Sequence, residues 1–187
     1  MIPTEEQARK LWEKYQLPQQ KRRHVELVAK VAAFLARKIK EQRAEGKVDK
    51  KLLIAAALLH DIDKAVLTLP GERHPDRAVR ILKEEGMGEV ADLVKTHALH
   101  TILNPATSPK TWEEKILYLA DKMVKYDIIT VDERFKLWND EHLPRDAQEI
   151  LDRAYPKVKA LETEIFSFIA IRPEKVNHLV SSTTVDL

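Results

Sequence analysis

The sequence predicts an all-α protein, a single bundle of about six to eight helices in residues 1–172. Three observations carry that expectation. Gly is scarce, with 4 in 187 residues, while Ala, Leu, Lys and Glu are plentiful, which favours helix over sheet. Apolar residues recur at three- and four-residue intervals along most of the chain. Two capping boxes, Thr4-Glu5-Glu6-Gln7 and Thr111-Trp112-Glu113-Glu114, mark helix starts.

The first helix follows Thr4, places Ala8, Leu11, Trp12 and Tyr15 on one stripe, and ends by Pro18. Lys21-Arg22-Arg23 leads into a second helix, expected over about residues 24–42. Its core face is Leu27, Val28, Val31, Ala32, Leu35 and Ile39, with His24 one turn earlier on the same face. Residues 44–48, containing Gly46, read as a turn. From Leu52 to Leu59 eight apolar residues run without a break, so the third helix is apolar on every side and belongs inside the protein. It stops at His60-Asp61. Two metal-capable groups therefore stand at a buried helix end, where burial costs free energy unless partners satisfy them.

Residues 66–71 form a loop, and His74-Pro75 opens a helix with Ala78, Val79, Ile81 and Leu82 inward and Gly86 as its stop. The next helix, from about residue 89, buries Val90, Leu93 and Val94, carries His97 on the same face and has His100 one turn further. After a loop at 104–109, the second capping box starts a helix with Ile116, Leu117, Ala120, Val124 and Ile128 on its core side and Asp121 facing inward. Residues 130–143 have weak periodicity and read as loop with a short helical piece. A last helix from Pro144 to about Ile171 buries Ile150, Leu151, Ala154, Val158, Leu161, Ile165 and Phe168, with Pro156 expected to kink or divide it. Residues 173–187 read as a mobile tail.

Composition narrows the chemistry. Net charge is +2 with both signs interspersed, so no basic field points to nucleic acid. No apolar run approaches the ~20 residues of a membrane span, and the start of the chain lacks a signal peptide's apolar segment, so a cytoplasmic location is expected. There is no Cys, so any metal must be held by imidazole and carboxylate. A homodimer is compatible with the sequence.

Successive helices thus turn His24, His60 with Asp61, His97 and Asp121 inward, and His74 adds one more imidazole. Each of these alone reads most simply as a hydrogen-bonded core residue. Jointly they would need many separate satisfied polar groups on inward faces, and a shared site is the cheaper solution. Such ligands suit one or two divalent transition metals: Fe, Mn, Ni, Co or Zn. His100 is divided between a substrate contact and the surface. His142 and His178 read as exposed. Arg23, Arg73, Arg77 and Lys122 stand beside ligand candidates and read as surface charges.

The order His24, His60-Asp61, Asp121, with the flanking A-L-L-H-D and L-A-D, resembles the HD-domain metal-dependent phosphohydrolase superfamily over roughly residues 20–130. It is most similar to the small group whose signature is A-L-L-H-D-I-G-K. By that resemblance His24, His60, Asp61 and Asp121 would hold a first metal, Asp61 would bridge, and His74 with His97, or with His100 one turn on, would complete a second. The resemblance implies hydrolysis of a phosphoester or phosphoanhydride of a small nucleotide or related metabolite by metal-activated water. In a hydrolysis of this kind Asp61, or Asp121, would accept the water's proton, Lys64, one turn after Asp61, is the choice for contacting substrate phosphate, and His100 is a candidate further substrate contact. Asp63 stands where that group has Gly and reads as a solvent-facing turn residue. Two alternatives remain open, a di-iron oxygenase on the same scaffold and a non-catalytic nucleotide-binding or regulatory module.

Overall fold

Around one continuous apolar core, the computed structural model of the protein, which describes residues 1–42 and 48–182, arranges nine α-helices and two 3-10 turns. Among the described residues there is no strand beyond a single bridge between Val124 and Ile128. The predicted turn around Gly46 and the last residues of the tail lie outside the described residues. No described helix is long and apolar enough to cross a membrane.

The first three helices build the centre. Helix α1 (Glu5–Lys14) begins at the Thr4 capping box and buries Ala8, Leu11 and Trp12. Helix α2 (Gln19–Glu41) starts five residues before His24, because Pro18 serves as its first flanking residue rather than only ending α1. Helix α3 (Lys50–Leu59) is capped by the Asp49 side chain, which accepts from the Leu52 amide, and Leu53 through Leu59 are all buried. α2 and α3 pack along each other, and α1 lies across α3. The Trp12 indole N–H donates to the Leu58 carbonyl at 2.8 Å, satisfying one of the acceptors that the end of α3 leaves free.

Helices α4 (Asp76–Glu84) and α5 (Gly88–Val94) pack together, and α5 covers α3. The turn between them uses Gly86 at φ 74°, a left-handed conformation that suits glycine. α5 is shorter than its periodicity suggests. It ends at Val94, so His97 sits beyond the helix and His100 on the 3-10 turn Leu99–Leu103. Helix α6 (Trp112–Lys122) likewise stops early, and Val124 and Ile128 are buried from the segment that follows.

Four expectations for the C-terminal third are corrected. Residues 130–143 contain a regular helix, α7 (Val131–Asp140), started by a third capping box in which Thr130 accepts from the Glu133 amide. Helix α8 (Arg145–Ile169) continues through Pro156 without dividing, held on both sides of it by buried Leu151, Ala154, Val158 and Leu161. Its stripe ends in Phe166 and Ile169, while Phe168 is exposed and sits against Trp112. The segment expected to be a mobile tail forms a 3-10 turn at Pro173–Lys175 and helix α9 (Val176–Ser181). Val176 and Val180 are buried, and Asn177 ties α9 to the Ile128 carbonyl at 2.9 Å.

Candidate metal centre

Four chain segments converge where α3 ends. His60 and His97 share a local device: each sits just beyond a helix and directs Nδ1 at the carbonyl three residues back, Ala57 at 2.8 Å and Val94 at 2.6 Å. A hydrogen bond there requires Nδ1–H to donate, which leaves each Nε2 a bare lone pair aimed into the interior. His24, from the second turn of α2, meets Asp121 of α6, with Nε2 at 3.0 Å from Oδ1. The same oxygen lies 3.4 Å from His60 Nε2. His74 Nε2 faces His97 Nε2 at 2.9 Å and Asp61 Oδ1 at 3.9 Å.

The structure therefore brings all six of His24, His60, Asp61, His74, His97 and Asp121 into one cluster. The rings of His24, His60, His97 and His74 follow one another at centroid separations of 5.4, 4.9 and 4.8 Å. Three overlapping sets, His24–His60–Asp121, His60–Asp61–His97 and Asp61–Asp63–His74, each keep their donor atoms within 4.8 Å of one another. One observation tests whether a cation fits. His60 is fully buried and, among the described residues, its Nε2 has no hydrogen-bond partner, an expensive arrangement for a polar atom unless something else takes the lone pair. An all-nitrogen-and-oxygen donor set around that orphan suits a divalent transition metal.

The electrostatics agree with that fit. Burial pushes the Asp61 carboxyl up, but His60, Lys64 and Lys21 outweigh it and hold it well below the usual carboxylate range. Burial opposes ionisation of Asp121 too, and Lys122, His24 and His60 again prevail, keeping it ionised. Burial lowers His97 far below the ordinary imidazole value and, despite Asp121, lowers His24. His60 is the exception: burial favours its neutral form, yet Asp61 and Asp121 raise it. A ligand imidazole must be neutral, so protons compete with metal. His60, whose pKa is raised, is the first of these to protonate as pH falls. Metal affinity is expected to decline below neutral pH by roughly tenfold per unit, read by titration calorimetry between pH 8 and 5. A flat profile would remove His60 from the ligand set.

Several charges are not where the sequence placed them. Asp63 is fully buried rather than solvent-facing, and its backbone is not left-handed, so the Gly of the related group is not needed for the turn. Its Oδ2 accepts from Arg77 Nε at 3.2 Å and lies 3.5 Å from His74 Nδ1, while Oδ1 has no partner. A carboxylate behind a ligand imidazole fixes the ring's tautomer. Asp63→Asn is accordingly expected to weaken binding of a second metal by about 10-fold or more while sparing the first, measured as stepwise Mn titration. Equal affinities would show that Asp63 serves Arg77 alone.

Lys122 is buried rather than superficial. Its Nζ donates to the His97 carbonyl at 2.5 Å and to Asp121 Oδ2 at 2.7 Å, anchoring two segments of the cluster. Lys21, not singled out in the sequence, reaches Asp61 Oδ2 at 3.1 Å, opposite Lys64, which lies 3.1 Å from Oδ1. Lys21 stands three residues before His24, one turn away on the same helix face, and that spacing was the available signal. Arg23, Arg73, His142 and His178 are exposed as expected. His100 is exposed and outside the cluster, against Trp138 and Leu143.

An all-helical bundle with overlapping His/Asp sets of this kind is a fold that could hold a metal ion. The HD domain family model matches residues 22–125, more than half of the chain, and the protein belongs to that family. HD domains form a superfamily of metal-dependent phosphohydrolases, and the buried His/Asp cluster could hold the metal. Comparison with curated proteins and with solved structures gave no match.

Proposed function

We propose that the protein is a metal-dependent phosphohydrolase acting on a phosphoester or phosphoanhydride of a small nucleotide or related metabolite. The observation that carries this reading is the orphaned Nε2 of His60, buried beside two ionised carboxylates and the imidazoles of His24 and His97. His24, His60, Asp61 and Asp121 are the proposed holders of a first metal, and His74, His97 and Asp61 of a second. Bound divalent cations supply Lewis-acid polarisation of phosphoryl oxygens and acidify water.

The remaining steps belong to the chain's own residues. Asp61 stays ionised across the physiological range and is the proposed acceptor of the attacking water's proton. Lys21 and Lys64 hold its two oxygens from opposite sides and fix the direction of the carboxylate. Lys64 is about a quarter exposed, so its ammonium can turn from Asp61 toward an incoming phosphate. Lys122 keeps Asp121 charged and in place from behind. Two imidazoles whose Nδ1 atoms are tied to backbone cannot rotate away when ligands exchange.

The test is a panel of nucleoside mono-, di- and triphosphates, dinucleoside polyphosphates and cyclic nucleotides, assayed with Mn, Ni, Co and Fe. Phosphate release from at least one member, stopped by a chelator, is expected. A fully metal-loaded protein that hydrolyses none of them would refute the reading.

A further inference from the structure

Among the described residues, one cation near the His/Asp cluster has no hydrogen-bond or ion-pair partner. Arg134, on α7, has Nε and Nη1 sealed from solvent without a hydrogen bond. The carboxylates whose field it feels are Asp121, Glu141 and Asp61. Each is already engaged by another cation: Asp121 by Lys122 at 2.7 Å, Glu141 by Lys125 at 3.0 Å, and Asp61 by Lys21 and Lys64 at 3.1 Å. What Arg134 does touch is an aromatic face, its guanidinium carbon lying 4.3 Å from the Trp138 ring centroid. A guanidinium held in this way is oriented and desolvated but not neutralised, which is the state of an anion site awaiting its ligand.

The surroundings indicate what accompanies the anion. Trp138 also lines a cavity of about 170 Å³, with Leu99, His100, Leu143, Ile150 and Leu151. This cleft lies between α8 and the 3-10 turn that follows His97, and it shares Trp138 with the Arg134 guanidinium. His100 supplies the single imidazole in an otherwise apolar lining.

We infer that Arg134 binds the phosphate of the substrate and that the Trp138–His100 cleft seats its organic part, a flat ring such as a nucleobase. This deepens the phosphohydrolase reading and rests on it for the identity of the anion. Arginine suits the role because its charge is permanent and its planar donors match phosphate oxygens. His100 thereby contacts the organic part of the substrate and not the metals.

The experiment is calorimetric binding to metal-loaded protein, with inorganic phosphate and with adenosine phosphonate (the non-hydrolysable analogue of AMP) as probes. Arg134→Gln is expected to weaken both probes roughly tenfold or more with metal content unchanged. Leu143→Trp, which fills the cleft, is expected to weaken the phosphonate and leave phosphate binding as in wild type. Arg134→Lys, which keeps the charge, should recover part of the affinity and covers the case in which the Gln variant fails to fold. Unchanged phosphate binding in Arg134→Gln overturns the inference, as does a wild type that binds neither probe. Unchanged phosphonate binding in Leu143→Trp removes the cleft from it. Wild-type protein that binds both probes yet hydrolyses nothing refutes the hydrolase reading alone.

Discussion

Replacing Asp61 with Ala is expected to lower turnover by on the order of 10³-fold or more and to remove most of the bound metal. Among the described residues Asp61 is the one carboxylate that joins two of the donor sets, one with His60 and His97 and one with Asp63 and His74. Its loss would take a ligand from both proposed metals, and it would leave Lys21 and Lys64 aimed at an empty carboxylate position. Helical content by circular dichroism separates this effect from unfolding. The matched control is His142→Ala, because His142 is exposed and its ring, among the described residues, bonds just the Asp140 carbonyl. That variant should keep both metal and activity. Comparable turnover in Asp61→Ala and wild type would refute the assignment.

The second large effect is on stability. Lys122→Met keeps most of the apolar stem but deletes the ammonium, whose Nζ lies 4.3 Å from the Tyr118 ring centroid. In metal-free protein this leaves the Asp121 carboxylate without its nearest cation and the His97 carbonyl without its donor. Breaking one side of a buried ion pair costs about 3–5 kcal/mol, because the remaining charge stays buried. For a domain of this size that corresponds to a fall in melting temperature of roughly 10 °C. Bound divalent cation should narrow the gap by supplying positive charge at Asp121. Urea denaturation with and without Mn measures both parts. A loss below about 1 kcal/mol in the metal-free protein would mean that water replaces the ammonium at little cost.

The metal-ligand candidates were legible in the sequence because each interrupts an apolar pattern that dictates its direction. His24 falls one turn before Leu27 and Val28, and His60-Asp61 ends a run that can only be buried. The charges around them were not legible for the same physical reason turned round. Asp63, Lys122 and Arg77 stand at or near helix termini, where the chain leaves helical geometry and periodicity no longer says which way a side chain points. Long side chains compound this, since Lys122 buries its stem while its ammonium finds a carbonyl and a carboxylate.

Helix ends account for most of the differences in fold as well. His97 was placed on a helix that stops three residues short of it, and the carbonyl exposed by that early stop is the one that holds its Nδ1. Helix α7 carried its own signal in Thr130-Val131-Asp132-Glu133, a capping box of the same form as the two that were used. Helix α9 has only the Val176–Val180 pair to bury, too little apolar spacing to stand out in sequence.

The central claim is that the His/Asp cluster is a metal centre, and elemental analysis of purified, reconstituted protein tests it most directly. Wild-type chain should carry one or two equivalents of a divalent transition metal, and Asp61→Ala prepared in parallel should carry far less. Wild-type protein holding no more than a trace after reconstitution would contradict the claim.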